Sequence, residues 1–428
     1  MCGGHVVDGQ RFHAAFLLYQ LWMMQRPRAI AGALTRRIWW PWNMKKTTER
    51  TLAAVRADDA LTLSVRAAMT LGTRRKMAGE SRDLASNLLR SFIPGTGGST
   101  LQATVDKDRI YGLKAISADF DSLRIPIEYD DNLLTHEQLF ATATKAMVQQ
   151  NGQVGLLVYS TGLRARSTTL PSWCPDYTKP LPRSWAGTRE DDLYNAARAC
   201  SGGMPSGAHH QLEGSTDGSD PRLLHLDASF FSRIVQTGHP PRPVASDRER
   251  HFLNIATICA VMAAANCARA YPSEVERQRG AWCIPIFDRE LNDIGQLVRA
   301  TDRAKVEHDR LMTWMKGSWS RLYKPPVWPA YWGSLSDEGQ IPVPIELETG
   351  HIGMFEDVAE AEAGEGEERS TLRIASGDEI WVPRGSHVPF AFRPLNSGHY
   401  QCLGPAYVYG VMNGELIGIE PFSTIVLE

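Results

Sequence analysis

The chain has 428 residues, 43% of them apolar, with 46 Lys and Arg against 48 Asp and Glu for a formal net charge of −2. That is an ordinary globular balance, long enough for a sizeable core and about two or three domains, and it lacks the basic surplus that a nucleic-acid or anionic-membrane partner calls for. The 7 cysteines (Cys2, Cys174, Cys200, Cys259, Cys267, Cys283, Cys402) are odd in number and form no CxxC pair, which argues against a disulfide framework or zinc ribbon and for a reducing compartment.

The first residues lack a basic start before an apolar run, and the run Ala14 to Met24 is broken by Gln20 and too short to span a bilayer. A helix-like run covers Phe12 to Gln25, and residues 28–95 read as helices. Within them Arg36-Arg37 and Lys45-Lys46 bracket Trp39, Trp40 and Trp42. Basic groups among aromatics can bind nucleic acid, but a helix rim with snorkelling Arg and Lys explains them more simply.

Asp106 to Asp130 predicts a short helix headed by Asp106 or Asp108, whose carboxylate would accept from free backbone N–H groups. Ile110, Tyr111, Leu113 and Ile116 form its apolar patch. Ile125 and Ile127 flank Pro126 as in an extended core strand. Thr135 to Gln138 is a capping box. Phe140, Ala143, Met147 and Val148 then share one helix face, and Asn151-Gly152 supplies a left-handed end. Gly155 to Tyr159 reads as a short buried strand or a helix start.

In Leu170-Pro171-Ser172-Trp173-Cys174-Pro175-Asp176-Tyr177-Thr178, two prolines fix φ around an indole that can anchor in the core. Cys174 has no partner His in a triad-like context, so it reads as a buried small hydrophobe. Residues 200–221 are Gly-, Ser- and Asp-rich and predict a flexible loop, and His209-His210 within it lack further ligands at metal spacing.

Leu223 to Val235 reads as strands. Ser246 to Glu249 is a second capping box, ahead of an apolar stripe at Phe252, Ile255, Ala256, Cys259 and Ala263, and Ser273 to Glu276 repeats the signal. Trp314 to Trp332, rich in Trp and Pro, reads as a packed connector, and Glu356 to Glu368 as a solvated acidic loop. The end alternates with period two around Ile380, Val382, Phe390 and Phe392, with a turn at Asn396 to Gly398 and one buried face expected per strand.

The fold class that follows is α+β, with mostly helical N-terminal and middle regions and a C-terminal antiparallel β module. The expected organisation is a helical and mixed region over 1–199, a flexible loop over 200–222, a helical region with its connector over 223–340, and a β module over 341–428.

Three stretches, in order, resemble the fungal heterokaryon-incompatibility (HET) proteins. The first holds Asp108, Arg109, Tyr111 and Leu113, like that family's charged-hydrophobic-Tyr-Ala-Leu-Leu-Gly signature, followed by Glu128-Tyr129. The second holds Leu170, Pro171, Ser172, Trp173, Pro175 and Asp176. The third holds Gly377, Asp378, Pro389, Arg393, Gly404, Tyr407, Gly410, Met412, Gly414 and Glu415. The sequence departs from the family pattern at Gly112, Ala115, Cys174, Tyr177 and Tyr409. The Trp-Gly-Asp and Ile-Asn-Gln segments of the family's N-terminal half do not occur, so the chain resembles the downstream portion.

The resemblance implies a cytoplasmic protein of fungal self/non-self recognition linked to cell death. The family's N-terminal half is thought to be distantly TIR-like, which raises NAD cleavage as an alternative. An accessory role in a secondary-metabolite gene cluster is another. No HExxH, GxSxG, Walker loop or GxGxxG occurs, so no catalytic residue, cofactor or metal set is assigned. The favoured reading is a non-catalytic interaction or regulatory module with protein partners, no nucleic acid and no membrane, and any small-molecule ligand left open.

Overall fold

The computed structural model describes residues 83–93, 102–160, 169–181, 184–187, 193–197, 220–239, 248–265, 269–291, 297–316, 340–358, 373–416 and 421–428. The chain divides into two compact units, one of Met1–Ser122 with Thr178–Pro180 and the other of Leu123–Tyr177 with Leu181–Glu428. The aromatic-basic cluster at Arg36 to Lys46, His209-His210, the Ser246 box, the Phe252 side chain and most of the Trp/Pro connector lie outside the described residues.

In the first unit, helix α1 (Leu84–Phe92) is capped by Asp83, whose carboxylate accepts from the Ser86 N–H at 2.8 Å. It buries Leu84, Leu88, Leu89 and Phe92. The Asn87 amide donates to the Ile116 carbonyl at 3.1 Å and lies 3.0 Å from the Ser117 hydroxyl, tying α1 to a 3-10 turn over Lys114–Ile116. Helix α2 (Asp108–Tyr111) is a single turn, and its first residue is Asp108. It is not capped by a carboxylate: Lys107 holds the cap position, while Asp106 instead takes Arg109 Nε at 3.3 Å. Gly112 ends the turn where an added Cβ would lie 2.7 Å from the Asp108 carbonyl oxygen, so alanine does not fit there.

In the second unit, Ile125 is buried and Ile127 is 51% exposed, and residues 125–130 form no strand. The expected core strand is therefore an extended loop. Helix α3 (His136–Asn151) has the reciprocal Thr135–Gln138 capping box and ends at Gly152 in the left-handed region, φ 65°. Leu139, Phe140, Ala143, Met147 and Val148 form its buried face, and Val154–Tyr159 follows as a 3-10 turn rather than a strand.

The rest of this unit is built on a sheet. Strand β1 (Leu224–Thr237) pairs with three neighbours in turn: β9 (Ser423–Leu427) along Leu224 to Ala228, β6 (Glu379–Pro383) along Ala228 to Arg233, and β4 (Gln340–Leu347) along Ile234 to Thr237. Register shifts between Phe230 and Ser232 and between Ile234 and Gln236 mark two bulges. Bulges bend a strand and raise its twist.

With β5 (Ile352–Val358), β7 (Phe390–Pro394) and β8 (Tyr400–Val408), the order runs β4-β5-β8-β7-β6-β1 and closes by the β1–β4 pairing. Closure removes free edges. Pro342 and Pro344, which have no N–H to give a further neighbour, occur in β4 beyond Ile345, the last residue paired with β1. Ile234, Val343, Ile345, Phe355, Ile380, Val382, Leu403 and Val408 fill the ring's core. At Gly353 an added Cβ would lie 2.2 Å from the Tyr407 carbonyl oxygen, so β5 and β8 approach as only glycine permits.

Helices α4 (Arg248–Ala265), α5 (Glu274–Cys283, with the Ser273–Glu276 capping box) and α6 (Asp302–Lys316) and a hairpin of β2 (Arg289–Leu291) and β3 (Leu297–Arg299) complete the unit. Ile255, Ala256, Cys259 and Ala263 are buried on α4. Among the described residues no helix is long and apolar enough to cross a membrane.

Three expectations change. The described middle region holds strands beside its helices, since β1 and the β2–β3 hairpin interrupt them. The sheet is not wholly antiparallel, since β8 and β9 run parallel at Tyr400 and Leu427. Strand β6 is buried on both faces rather than one, because the Glu379 carboxylate accepts from Arg233 Nε at 3.1 Å and Trp381 Nε1 at 3.0 Å and so can sit 4% exposed.

The Leu170–Tyr177 turn fastens this unit together. Trp173 is fully buried and its indole N–H donates to the Arg222 carbonyl at 3.1 Å, just ahead of β1. The Tyr177 hydroxyl lies 3.1 Å from that of Thr144 on α3. Ser172 accepts from the Cys402 N–H at 2.8 Å on β8 and donates its own hydroxyl to the Glu428 carbonyl at the end of β9. Trp173→Ala is expected to remove about 3–5 kcal/mol of stability, read as a lower denaturation midpoint in urea; an unchanged midpoint would contradict the anchoring role.

Candidate functional site: a buried charge and aromatic cluster beside β8

Helix α5 runs through Cys283 into a 3-10 turn, Ile284–Ile286, whose Pro285 ends regular helix. Phe287 and Asp288 then both adopt positive φ, 52° and 51°. Neither is glycine, and such backbone costs about 1–3 kcal/mol per residue unless its surroundings hold it. The Phe287 N–H bonds the Ile284 carbonyl at 2.9 Å, the Asp288 N–H bonds the Cys283 carbonyl at 2.8 Å, the Ala300 N–H bonds the Asp288 carbonyl at 3.0 Å, and the Tyr194 hydroxyl donates to the Phe287 carbonyl.

The Asp288 carboxylate is 3% exposed. Arg299, at the end of β3, lies 3.1 Å from one of its oxygens and Arg279, on α5, lies 3.9 Å from the other. Burial raises the Asp288 pKa and the two guanidinium groups oppose that rise without cancelling it. Arg299 also stacks 4.9 Å above the Tyr194 ring and donates to Asn413 Oδ1 at 3.1 Å. The Asn413 amide is in turn held by Glu415, which accepts from its backbone N–H at 2.7 Å and its side-chain nitrogen at 3.0 Å.

Trp185 packs against Phe287 at 4.9 Å, Tyr194 at 5.6 Å and Tyr407 of β8 at 6.2 Å between ring centroids. Arg289 is 2% exposed and donates to the Trp185 carbonyl at 2.9 Å. Among the described residues Asp288 Oδ1, Arg299 Nη1 and Trp185 Nε1 are buried without a hydrogen-bond partner. Such a concentration of buried polar capacity is a mark of a functional or switch-like site.

The chemistry open to this cluster is narrow. Burial pushes the Cys283 thiol and the Tyr194 and Tyr407 hydroxyls well above their ordinary pKa values, so Cys283 is a thiol and not a thiolate nucleophile. Asp288 faces two guanidinium groups and is nearly sealed from solvent. The arrangement fixes the β2–β3 hairpin and α5 to the sheet. Among the described residues no group of three or more His, Cys, Asp or Glu is placed to hold a metal ion.

The residues singled out in the sequence fall in several places. Asp108, Arg109, Tyr111 and Leu113 lie in the first unit, where Arg109 is 6% exposed and its guanidinium stands 5.4 Å from the Phe92 ring centroid. Tyr129 is 55% exposed. Leu170, Pro171, Ser172, Trp173, Pro175 and Asp176 are buried in the fastening turn. Asp378, after Gly377 (φ 95°), grips Arg393 with two bonds of 2.7 and 2.8 Å. The Pro389 carbonyl accepts from the Ala406 N–H at 2.9 Å, and Gly404 pairs with Ala391.

Tyr407, Met412 and Glu415 converge on the cluster. The Met412 carbonyl accepts from the Asn195 N–H at 2.7 Å beside Tyr194, and Gly410 and Gly414 make the intervening left-handed turns at φ 85° and 88°. No sequence motif contains Asp288, Arg299, Arg279, Trp185 or Tyr194. The one local signal for them is the Pro285-Ile286-Phe287-Asp288-Arg289 break that follows a capped helix.

No protein-family model and no solved structure matches the chain. A curated protein, the heterokaryon incompatibility protein 6, OR allele, of Neurospora crassa, is 22% identical to it over 367 residues, covering 73% of this chain and 49% of the relative. The chain spans about half the length of that relative. The resemblance to heterokaryon-incompatibility proteins thus has a distant fungal counterpart.

Two substitutions test the cluster. Arg299→Ala leaves Asp288 buried without its nearer cation and should cost on the order of 3 kcal/mol, and a denaturation midpoint equal to wild type would show that the pair contributes nothing. For Asp288 the folded pKa lies above the ordinary 3.8, so the folded chain holds that proton more readily than the unfolded chain does. Its contribution is present below pH 3.8 and is lost as pH rises through the raised value. Asp288→Asn abolishes that loss, so the variant should gain stability relative to wild type as pH rises from 3.8 toward neutrality. The opposite trend would mean that the ion pairs outweigh burial.

Proposed function

We propose that this chain is a heterokaryon-incompatibility-like protein with a non-catalytic interaction or regulatory role in fungal self/non-self recognition and the cell death linked to it. The observation that carries the reading is the distant likeness to the Neurospora heterokaryon incompatibility protein. The geometry of the buried cluster supports the non-catalytic part. Asp288, Arg299, Asn413 and Glu415 form one chain of contacts that secures a hairpin and a turn, and the Cys283 thiol beside them is not ionised. Protein partners follow from that role, in a cytoplasmic setting.

The test is viability of fungal cells after induced expression. Residues 1–428 alone should leave viability unchanged, whereas their fusion behind the upstream part of the Neurospora relative should change killing relative to that upstream part alone. Strong killing by the chain alone would place an effector within it. A fusion indistinguishable from the upstream part would end the regulatory reading. The same purified chain should release no nicotinamide from NAD, and release abolished by a point substitution would make it an enzyme.

A further inference from the structure

His351 occupies a seam between four stretches of the second unit. It closes the turn that joins β4 to β5, where its carbonyl accepts from the Leu347 N–H at 2.9 Å. Its half-buried ring stands 5.0 Å from the Phe231 ring, at the first bulge of β1, and 5.4 Å from the Tyr271 ring, ahead of α5. On another side it meets the turn after β8: a Cβ added to Gly410 would lie 3.8 Å from His351 Cδ2 and 3.9 Å from Nε2. His351 Nδ1 lies 2.9 Å from the Thr349 hydroxyl.

This packing suits a neutral imidazole. Protonation puts a donor on both ring nitrogens, and Nε2 has no hydrogen-bond partner among the described residues. A charge in so apolar a seam is also poorly solvated. Burial lowers the His351 pKa, and Glu415 opposes the fall without cancelling it. Both oxygens of Glu415 are already engaged by Asn413, at 2.7 and 3.0 Å. The neighbouring cations are committed elsewhere: Arg277, which donates to the Tyr271 carbonyl at 2.8 Å, pairs with Glu274 at 2.7 Å, and Arg233 on β1 pairs with Glu379 at 3.1 Å. Burial raises the pKa of the nearby Tyr409 hydroxyl, so it offers no negative charge.

The ring wedges a joint. Tyr271 Oη donates to the Tyr409 carbonyl at 2.8 Å and accepts from the Ile352 N–H at 3.1 Å, and the Tyr409 N–H donates to the Ile352 carbonyl at 3.0 Å. Tyr271 thereby ties the approach to α5 to β5 and to the end of β8. The turn that begins there carries Asn413, which accepts from Arg299 of the Asp288 cluster. We propose that His351 is a pH-sensitive wedge: on protonation its ring leaves the seam, Tyr271 parts from β5 and β8, and the turn carrying Asn413 loosens. The device is separate from the incompatibility reading and stands or falls without it.

An opened joint exposes His351 to water, where it takes up a proton at the ordinary 6.5, whereas the closed joint takes one up only at lower pH. Closure is therefore fully favoured above pH 6.5 and loses ground as pH falls below it. One proton supplies at most about tenfold per pH unit.

Amide hydrogen exchange on the full chain tests this. From about pH 7.5 to about pH 5.5, after correction for the intrinsic exchange rate, protection of the Ile352 and Tyr409 amides should fall several-fold. That of Leu139 in α3, bonded to the Thr135 carbonyl at 3.0 Å, should stay constant. His351→Phe, which fills the seam without a titratable nitrogen, should remove the pH dependence at both amides. His351→Gln takes its place if that variant does not fold. NMR titration of the wild-type ring should give a midpoint below 6.5. Unchanged protection, a fall shared equally by Leu139, a pH response that persists in the variant, or a ring midpoint at or above 6.5 would each overturn the proposal.

Discussion

The second unit depends on the closure of its sheet by β1. A flat strand cannot serve β9, β6 and β4 along one run of 14 residues, and two bulges, one inside the β6 pairing and one inside the β4 pairing, bend it. The first sits at Phe231, after which β1 continues along β6. The second sits at Val235, inside the β4 pairing that begins at Ile234. Once the ring is closed, its inward side chains have no route to solvent, and Ile234, Ile345, Ile380 and Val408 become a core. Closure also makes β1 a strand of high contact order, joined to residues more than a hundred positions downstream, and such non-local pairing is slow to form.

A closed ring with little exposed surface on β6 and β7 then needs its outer polar groups satisfied where they stand. Glu379 takes Arg233 and Trp381, Asp378 takes Arg393 and the Ala375 N–H, and Ser172 reaches from a separate turn to bond both β8 and β9. Each removes the penalty of a buried donor or acceptor. They also explain why residues that looked like motif positions in the sequence are scattered in space: Ser172, Asp378 and Arg393 stitch different seams of one scaffold.

Local physics was legible and long-range physics was not. The Thr135 and Ser273 capping boxes, the buried face of α3, the Gly152 cap and the Trp173 anchor rest on neighbours within a few residues, and the structure has them. Period-two alternation found the C-terminal strands but implied a wet face on β6, because nothing local to Glu379 announces that Arg233, more than a hundred residues upstream, will neutralise it. The cluster was invisible for the same reason. Asp288, Arg299, Tyr194 and Tyr407 come from separate stretches, and only Tyr407 belonged to a stretch that had been singled out. Ile127 misleads in the other direction, since apolar residues flanking a proline suggest a core strand whether or not anything covers them.

The positive φ at Phe287 and Asp288 bears on what the cluster is for. Backbone of this kind persists only where the surroundings over-determine it, and here four hydrogen bonds to backbone groups of the turn do so. The side chain of Asp288 gains two cations, yet its pKa stays raised, so burial outweighs their attraction and the carboxylate is held at a net cost. The Asp288 contacts fix the geometry of the turn. Through Arg299, Asn413 and Glu415 that geometry extends to the turn after β8, and through the Met412 carbonyl to Asn195 beside Tyr194. The hairpin, the turn and the aromatic wall therefore share one arrangement, and disturbing any of them disturbs the set.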